Sequence, residues 1–234
     1  MAETGGNNRE GINADRIHII RAGIKARIPE AEGILRKSGL TPRNKRFGRA
    51  AINIAADKLR HEEAAGRDQL TDLYNLKGFT DRLNQDVERT RRQNTSMGLL
   101  TFDANGLKTI NDTYGHEAGN RFLREIADVL REDTRDIDTV ARTGGDEYWV
   151  ILSNTTSEGV KDWWKRVSPL FSERRISIGG GAVVLTGAEI RNAKNIQELI
   201  TEKKHQADQY MYVAKTLSKE RGTSLLKTEI ELLK

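Results

Sequence analysis

The chain has 234 residues, 36% apolar and 31% charged, which is enough for one full domain plus an accessory segment. Its 39 basic and 34 acidic residues are interspersed, so the net charge of +5 suits a nucleoside triphosphate as well as a nucleic acid, and no basic stripe with interleaved aromatics favours the latter. Cysteine is absent, no apolar run approaches the roughly 18 residues of a membrane span, and residues 1–13 lack a secretion signal's apolar core, so the expectation is a cytoplasmic protein with no disulfides and no membrane or nucleic-acid partner.

In chain order, Ile17, Ile20, Ile24 and Ile28, then Ile34 and Leu35, recur at helical spacing and predict two short helices, with Pro29 opening the second and Gly39 following it. A polar break over 38–43 leads to a third helical stretch, 45–67, whose apolar face (Phe47, Ala51, Ile54, Leu59) fits either an internal core or a seam between two protomers. We therefore divide the chain into a helical region, 1–66, a main domain, 67–228, and a tail, 229–234.

The main domain opens on Asp68-Gln-Leu-Thr-Asp-Leu-Tyr-Asn75 and a helix to about residue 93, capped by Asn75 or Thr71. Residues 97–103 form an apolar run of strand length that ends in Asp103, a carboxylate where open α/β sheets usually place ligand chemistry. A short helix, a Gly115-His116 turn and a second helix to about 132 follow. Lys108, Asn111 and Asp112 share a helical face that could offer a cation and an amide to a nucleotide, although each alone reads equally as an ordinary surface or capping residue.

Residues 141–152 predict two short strands joined at Gly144-Gly145-Asp146-Glu147. Glycines there could take positive φ and admit an anion to the main chain, and adjacent carboxylates suit a hard cation such as Mg²⁺; an ordinary solvated turn would have the same composition. A helix over 157–170 carries Trp163 and Trp164 as core or interface anchors. Residues 174–185 read as a long strand interrupted by Gly179-Gly180-Gly181, and 195–219 as a last helix with Lys215 and Lys219. This alternation predicts α/β with one mixed sheet.

Residues 67–226 resemble the GGDEF family of diguanylate cyclases. The resemblance rests on separated motifs in order: Asp68-x-Leu70-Thr71, Phe102-Asp103 through Lys108, Asn111-Asp112 and Gly115-His116-x-x-Gly119, then Gly144-Gly145-Asp146-Glu147-Tyr148, Ser177-Ile178-Gly179, and Ala207-Asp208-x-x-Met211-Tyr212-x-Ala214-Lys215. It implies a palm-like nucleotidyl-cyclase fold of class α/β (α+β), with a mixed, mainly antiparallel five-stranded sheet among helices. The implied reaction joins two GTP molecules into cyclic di-GMP in a homodimer whose domains face each other across a two-fold axis. The N-terminal helices would then hold or regulate that dimer, or pack within the chain.

By the same resemblance Asp103, Ala104, Asp146 and Glu147 hold two Mg²⁺ ions, for which Mn²⁺ could substitute. Asp146, Glu147 and Lys108 act in catalysis, with Glu147 either a metal or a proton-handling carboxylate. Lys108, Lys215, Lys219, Gly144 and Gly145 bind the triphosphate, and Asn111 and Asn120 the base. Arg135-x-x-Asp138, with Arg166, corresponds to an inhibitory product site.

The chain departs from the family pattern at several positions. Asn120 replaces an acidic guanine acceptor, Asn105-Gly106-Leu107 an Asp-x-Phe, Ser218-Lys219 a Gly-Arg, and Tyr148 a Phe. Asn120 keeps open a relaxed cyclic dinucleotide synthase that also uses ATP and makes cyclic GMP-AMP or mixed products. A third reading is a non-catalytic receptor for GTP or cyclic di-GMP.

Overall fold

In the computed structural model, which describes residues 65–228 and 231–233, the entry segment is a turn tied by its own side chains: Asp68 Oδ1 accepts from Thr71 N at 2.9 Å and Thr71 Oγ1 at 2.6 Å. The helices expected before residue 65 lie outside the described residues. Asn75, of the two candidate caps, starts helix α1 (Leu76–Gln93) by accepting from Gly78 N, and Asn94 ends it at φ 54°. Next come β1 (Ser96–Ala104), α2 (Leu107–Tyr114), α3 (His116–Glu132), β2 (Thr139–Arg142), β3 (Glu147–Leu152), α4 (Ser157–Glu173), β4 (Ile178–Thr186), α5 (Gly187–Asn192), α6 (Ile196–Arg221), β5 (Leu225–Lys227) and β6 (Leu232–Leu233).

The strands form one mixed sheet in the order β2-β3-β1-β4-β5-β6, antiparallel throughout except between β4 and β5. It has six strands rather than five, because Leu232–Leu233, in the segment read as a tail, pairs with Leu226 and Lys227. Strand β4 starts at Ile178 rather than Arg174, since Arg174 caps α4 and Arg175 turns at φ 56°. The three glycines do not interrupt it: β4 pairs with β1 without a break from Ile178 to Thr186.

Strand β1 is central and covered on both faces, which is why its sequence is apolar without alternation. Its even positions, Leu100, Phe102 and Ala104, join Tyr148, Val150, Trp163, Trp164 and the α3 residues Ile126 and Leu130 in one core. Its odd positions, Met97 and Leu99, join Phe79 and Leu83 of α1, Trp149 and Ile151 of β3, and Ile200 and Ala207 of α6 in the other. Trp164 stacks on Phe102 with centroids 5.7 Å apart and planes at 16°, so the paired tryptophans are core anchors. Period-two alternation therefore sends Thr101 and Asp103 to the α1/α6 side, and Asp103 is the last side chain on that side before the strand leaves the sheet.

Candidate active site

Asp103 lies opposite Glu147 on β3 and opposite Gly179 on β4. The hairpin turn is tied to the same strand end, because Ala104 N donates to the Asp146 carbonyl at 3.2 Å. Asp103, Ala104, Asp146 and Glu147 are thus gathered at one edge of the sheet, with Ala104 able to contribute only main-chain groups. Asp103 is 8% exposed; burial raises its pKa above the usual carboxylate value, and the Asp146 and Glu147 charges push the same way against the ammonium of Lys215. That ammonium stands 2.5 Å from Asp103 Oδ1.

Two glycines explain why Lys215 reaches this far in. A Cβ on Gly179 would run into the Lys215 backbone, and one on Gly181 into the main chain of Ala207 and Met211. Their absence lets α6 pack directly on the β4 backbone. Because Gly179 is the register partner of Asp103, this seat sets Lys215 beside the carboxylate. The run Gly179-Gly180-Gly181 was legible, but as a break in a strand; its role as a helix seat depends on pairing between distant segments.

The hairpin turn differs from the glycine expectation. Neither Gly144 nor Gly145 has positive φ among the described residues. Gly144 instead makes room for the Glu147 carboxylate, whose Oε2 would sit 2.8 Å from an added Cβ, while the space beside Gly145 is open. The turn is held by a residue not singled out from sequence: Arg142 donates from Nε and Nη2 to the Gly145 carbonyl at 3.0 and 2.8 Å and from Nη1 to both Asp68 oxygens at 3.0 and 3.1 Å. Tyr148 accommodates its additional hydroxyl by donating to the Leu123 carbonyl at 2.9 Å, and burial drives its pKa well above the usual phenol value.

No group of three or more acidic or histidine side chains is preassembled around a metal position among the described residues. The donors at hand are hard carboxylate oxygens, including the buried Asp103 Oδ1. Mg²⁺ is commonly held by one or two carboxylates and completed by substrate phosphates. The set therefore fits a cation that arrives with a triphosphate.

Lys108 and Lys219 are exposed on α2 and α6 and make no ion pair or hydrogen bond among the described residues. Asn111 lays its Oδ1 against Gly119 of α3, where any Cβ would collide, and Asn120 is the next residue. Both amides are half-buried and free of hydrogen bonds among the described residues. An open cleft of about 750 Å³ beside α1, lined in part by Asn75 and Lys77, borders the hairpin turn at Arg142 and Gly144.

Arg135 and Asp138 are brought together, but with each other. Arg135 donates from N, Nε and Nη2 to the Asp138 carboxylate, each at 3.0 Å, and from Nη2 to the Ser153 carbonyl at 2.8 Å. Ser153 N donates to Asp138 Oδ1 at 2.9 Å. Arg166 of α4 joins the same loop through Asp133, with Nε 2.9 Å from Oδ2.

Residues 65–221 match the family model described as "Diguanylate cyclase, GGDEF domain". Among curated proteins the chain is 32% identical over 157 residues to diguanylate cyclase DgcP of Pseudomonas aeruginosa, covering 66% of this chain and 23% of that protein. It is 30% identical over 145 residues to diguanylate cyclase A of Treponema denticola, covering 58% of this chain and 37% of that protein. The chain thus spans well under half the length of these relatives. Among solved structures, the coiled coil and GGDEF domain of DgcB from Caulobacter crescentus, in complex with c-di-GMP, has a TM-score of 0.62 at 21% identity, covering 79% of this chain and all of that one. This last likeness establishes the fold.

Proposed function

The chain belongs to the diguanylate cyclase, GGDEF domain family, and from that premise we propose that it condenses two GTP molecules into cyclic di-GMP. The observation that carries the reading is the convergence at one sheet edge: a buried Asp103 whose ionisation is opposed by Asp146 and Glu147 and whose countercharge, among the described residues, is a single lysine ammonium. Such a carboxylate gains from a stronger cation. Its lysine is then released toward the phosphates.

The reaction occurs twice. Each 3′-oxygen forms a bond to the α-phosphorus of the facing nucleotide, the bond to the bridging α–β oxygen breaks, and pyrophosphate leaves. Lys215, once detached from Asp103, and Lys108 and Lys219, which pair with nothing among the described residues, bind non-bridging oxygens and stabilise the charge that builds on the leaving group. In this reading Glu147, whose carboxylate lies over Gly144, takes the hydroxyl proton or shares in cation binding. Arg142 holds the turn so that Asp146 and Glu147 keep their places. Mg²⁺ held by Asp103, Asp146, Glu147 and the Ala104 carbonyl would neutralise triphosphate charge and lower the pKa of the attacking hydroxyl. Two such half-sites must face one another, so the active species is a homodimer.

Asn111 and Asn120 are the base-reading pair in this scheme. The carboxamide of Asn120 offers a donor as well as an acceptor where guanine presents two donors, which favours a second reading in which ATP also enters and mixed products form. The test is to incubate the protein with Mg²⁺ and GTP, ATP or both and to resolve the products. Cyclic di-GMP from GTP alone is expected, with mixed cyclic dinucleotide marking the second reading. Absence of any cyclic or linear dinucleotide from all three mixtures overturns the cyclase reading and leaves a nucleotide receptor.

A further inference from the structure

Beyond the Thr101–Asp208 hydrogen bond, the end of strand β1 and the residue after it meet helix α6 through two polar contacts close together. One is ionic, Lys215 Nζ on Asp103 at 2.5 Å. The other is neutral: Asn105 Nδ2 donates to Ser218 Oγ at 2.8 Å, and Ser218 Oγ donates onward to the Lys215 carbonyl at 3.0 Å. Asn105 Nδ2 also donates to Ser177 Oγ at 2.9 Å, and Asn105 N to the Ser177 carbonyl at 2.9 Å, so the same residue ties in the approach to β4. Ser218 is fully buried. Asn105 Oδ1 is buried without a donor among the described residues, so the amide is held through its N–H groups; turned round, it would leave both of them without an acceptor.

We propose that Asn105 is a positioning residue for phosphate binding, a neutral tether that keeps the last turns of α6 docked on β1 while the Lys215 ammonium changes partner from Asp103 to a nucleotide's phosphate. The inference rests on the triphosphate-binding reading of the site. An incoming cation competes for Asp103 and an incoming phosphate competes for Lys215, so the ionic joint opens when substrate binds. An uncharged N–H···O contact between a carboxamide and a buried hydroxyl is competed for by neither. It reaches the Lys215 main chain through the Ser218 hydroxyl, and Lys219 lies one turn farther along the same helix. Asn105 and Ser218 are both departures from the family pattern, and their contact makes them a single unit.

The experiment is a double-mutant cycle with Asn105→Ala, Ser218→Ala and both together in the full chain. Melting temperature is measured in chelator without nucleotide, and kcat and KM for GTP are measured with Mg²⁺. Each single variant should lower the melting temperature by about 2–4 °C. Each should also raise KM about ten-fold with kcat within about two-fold, as expected when a positioned binding contact is lost. The double variant should be no worse than the poorer single one. Additive losses, unchanged KM in both single variants, or a fall in kcat at constant KM would each overturn the proposal. Ser218→Ala removes one hydroxyl and gives a readable arm should Asn105→Ala fail to fold. A wild-type protein that makes no dinucleotide refutes the cyclase reading and the KM claim with it, whereas a productive wild type with uncoupled variants refutes the tether alone.

Discussion

Two buried carboxylates of this domain, Asp103 and Asp138, each lie under a basic side chain, Lys215 and Arg135, and their side chains are 11% and 1% exposed. Asp138 accepts four N–H groups, three from Arg135 and one from Ser153, and its arginine is additionally fixed on the Ser153 carbonyl. The paired carboxylate raises the pKa of Arg135 still further. Among the described residues Asp103 has a single point-charge partner on a flexible stem, while burial and two neighbouring acids oppose its ionisation. A satisfied fork is costly to open, whereas an unsatisfied carboxylate readily exchanges its cation. The difference separates a carboxylate open to exchange of its cation from one whose partner an incoming ligand would first have to displace.

The comparison breaks most sharply at the hairpin. Asp146→Ala should reduce turnover by about three orders of magnitude, equivalent to about 4 kcal/mol of transition-state stabilisation, with an unchanged melting profile. Full activity in that variant would move cation binding away from the turn. Next in size is Arg135→Ala, which should weaken inhibition by cyclic di-GMP about ten-fold or more, the order expected for loss of a bidentate charge-assisted contact. Arg135→Lys should fall in between, because it keeps the charge and loses the fork. An inhibition curve that does not move in either variant would leave Arg135–Asp138 as a structural ion pair.

A smaller effect tests how the first pair is built. Gly179→Ala places a methyl against the Lys215 backbone and should cost about 1–3 kcal/mol of stability through overpacking. It should also weaken GTP binding, because the displaced helix carries both Lys215 and Lys219. Denaturant unfolding together with nucleotide titration reads both, and a stable variant with normal affinity would mean that the glycine seat does not position the lysine.

What was legible in the sequence follows the same division. Asp103 at the end of an apolar run, the paired carboxylates at a glycine turn and Lys215 in the last helix are local or motif-borne signals, and the segments that carry them meet at the sheet edge, whereas Lys108 and Asn111 lie on α2 with no contact to that edge among those described. Contacts that join distant segments were not legible: Arg142 to Asp68, Gly179 under α6, and Asn105 to Ser218 span 74, 36 and 113 positions. Helix α5 was missed although Thr186-x-x-Glu189 is a full capping box, because it is only six residues long and follows directly on a strand. Strands β5 and β6 have three and two residues, too few for a period to register.

The smallest effect isolates the charge state of Asp103. Its folded-state pKa is raised above 3.8, first by burial and then by Asp146 and Glu147 against the opposing Lys215, so folding shifts the acid toward its protonated form relative to the unfolded chain. Ionisation therefore costs stability once pH exceeds the raised folded value, and that cost disappears as pH falls through it toward 3.8. Asp103→Asn removes the charge and leaves the half-exposed Lys215 free to turn to solvent. In the absence of divalent cation and nucleotide the variant should melt higher than wild type at pH 7, and the two curves should converge on acidification. Adding Mg²⁺ and GTP should reverse the order at pH 7, since only the carboxylate gains from the cation. A variant less stable than wild type at pH 7 without ligand would mean that the Lys215 ion pair outweighs the burial and the acidic neighbours, and that Asp103 is as well satisfied as Asp138.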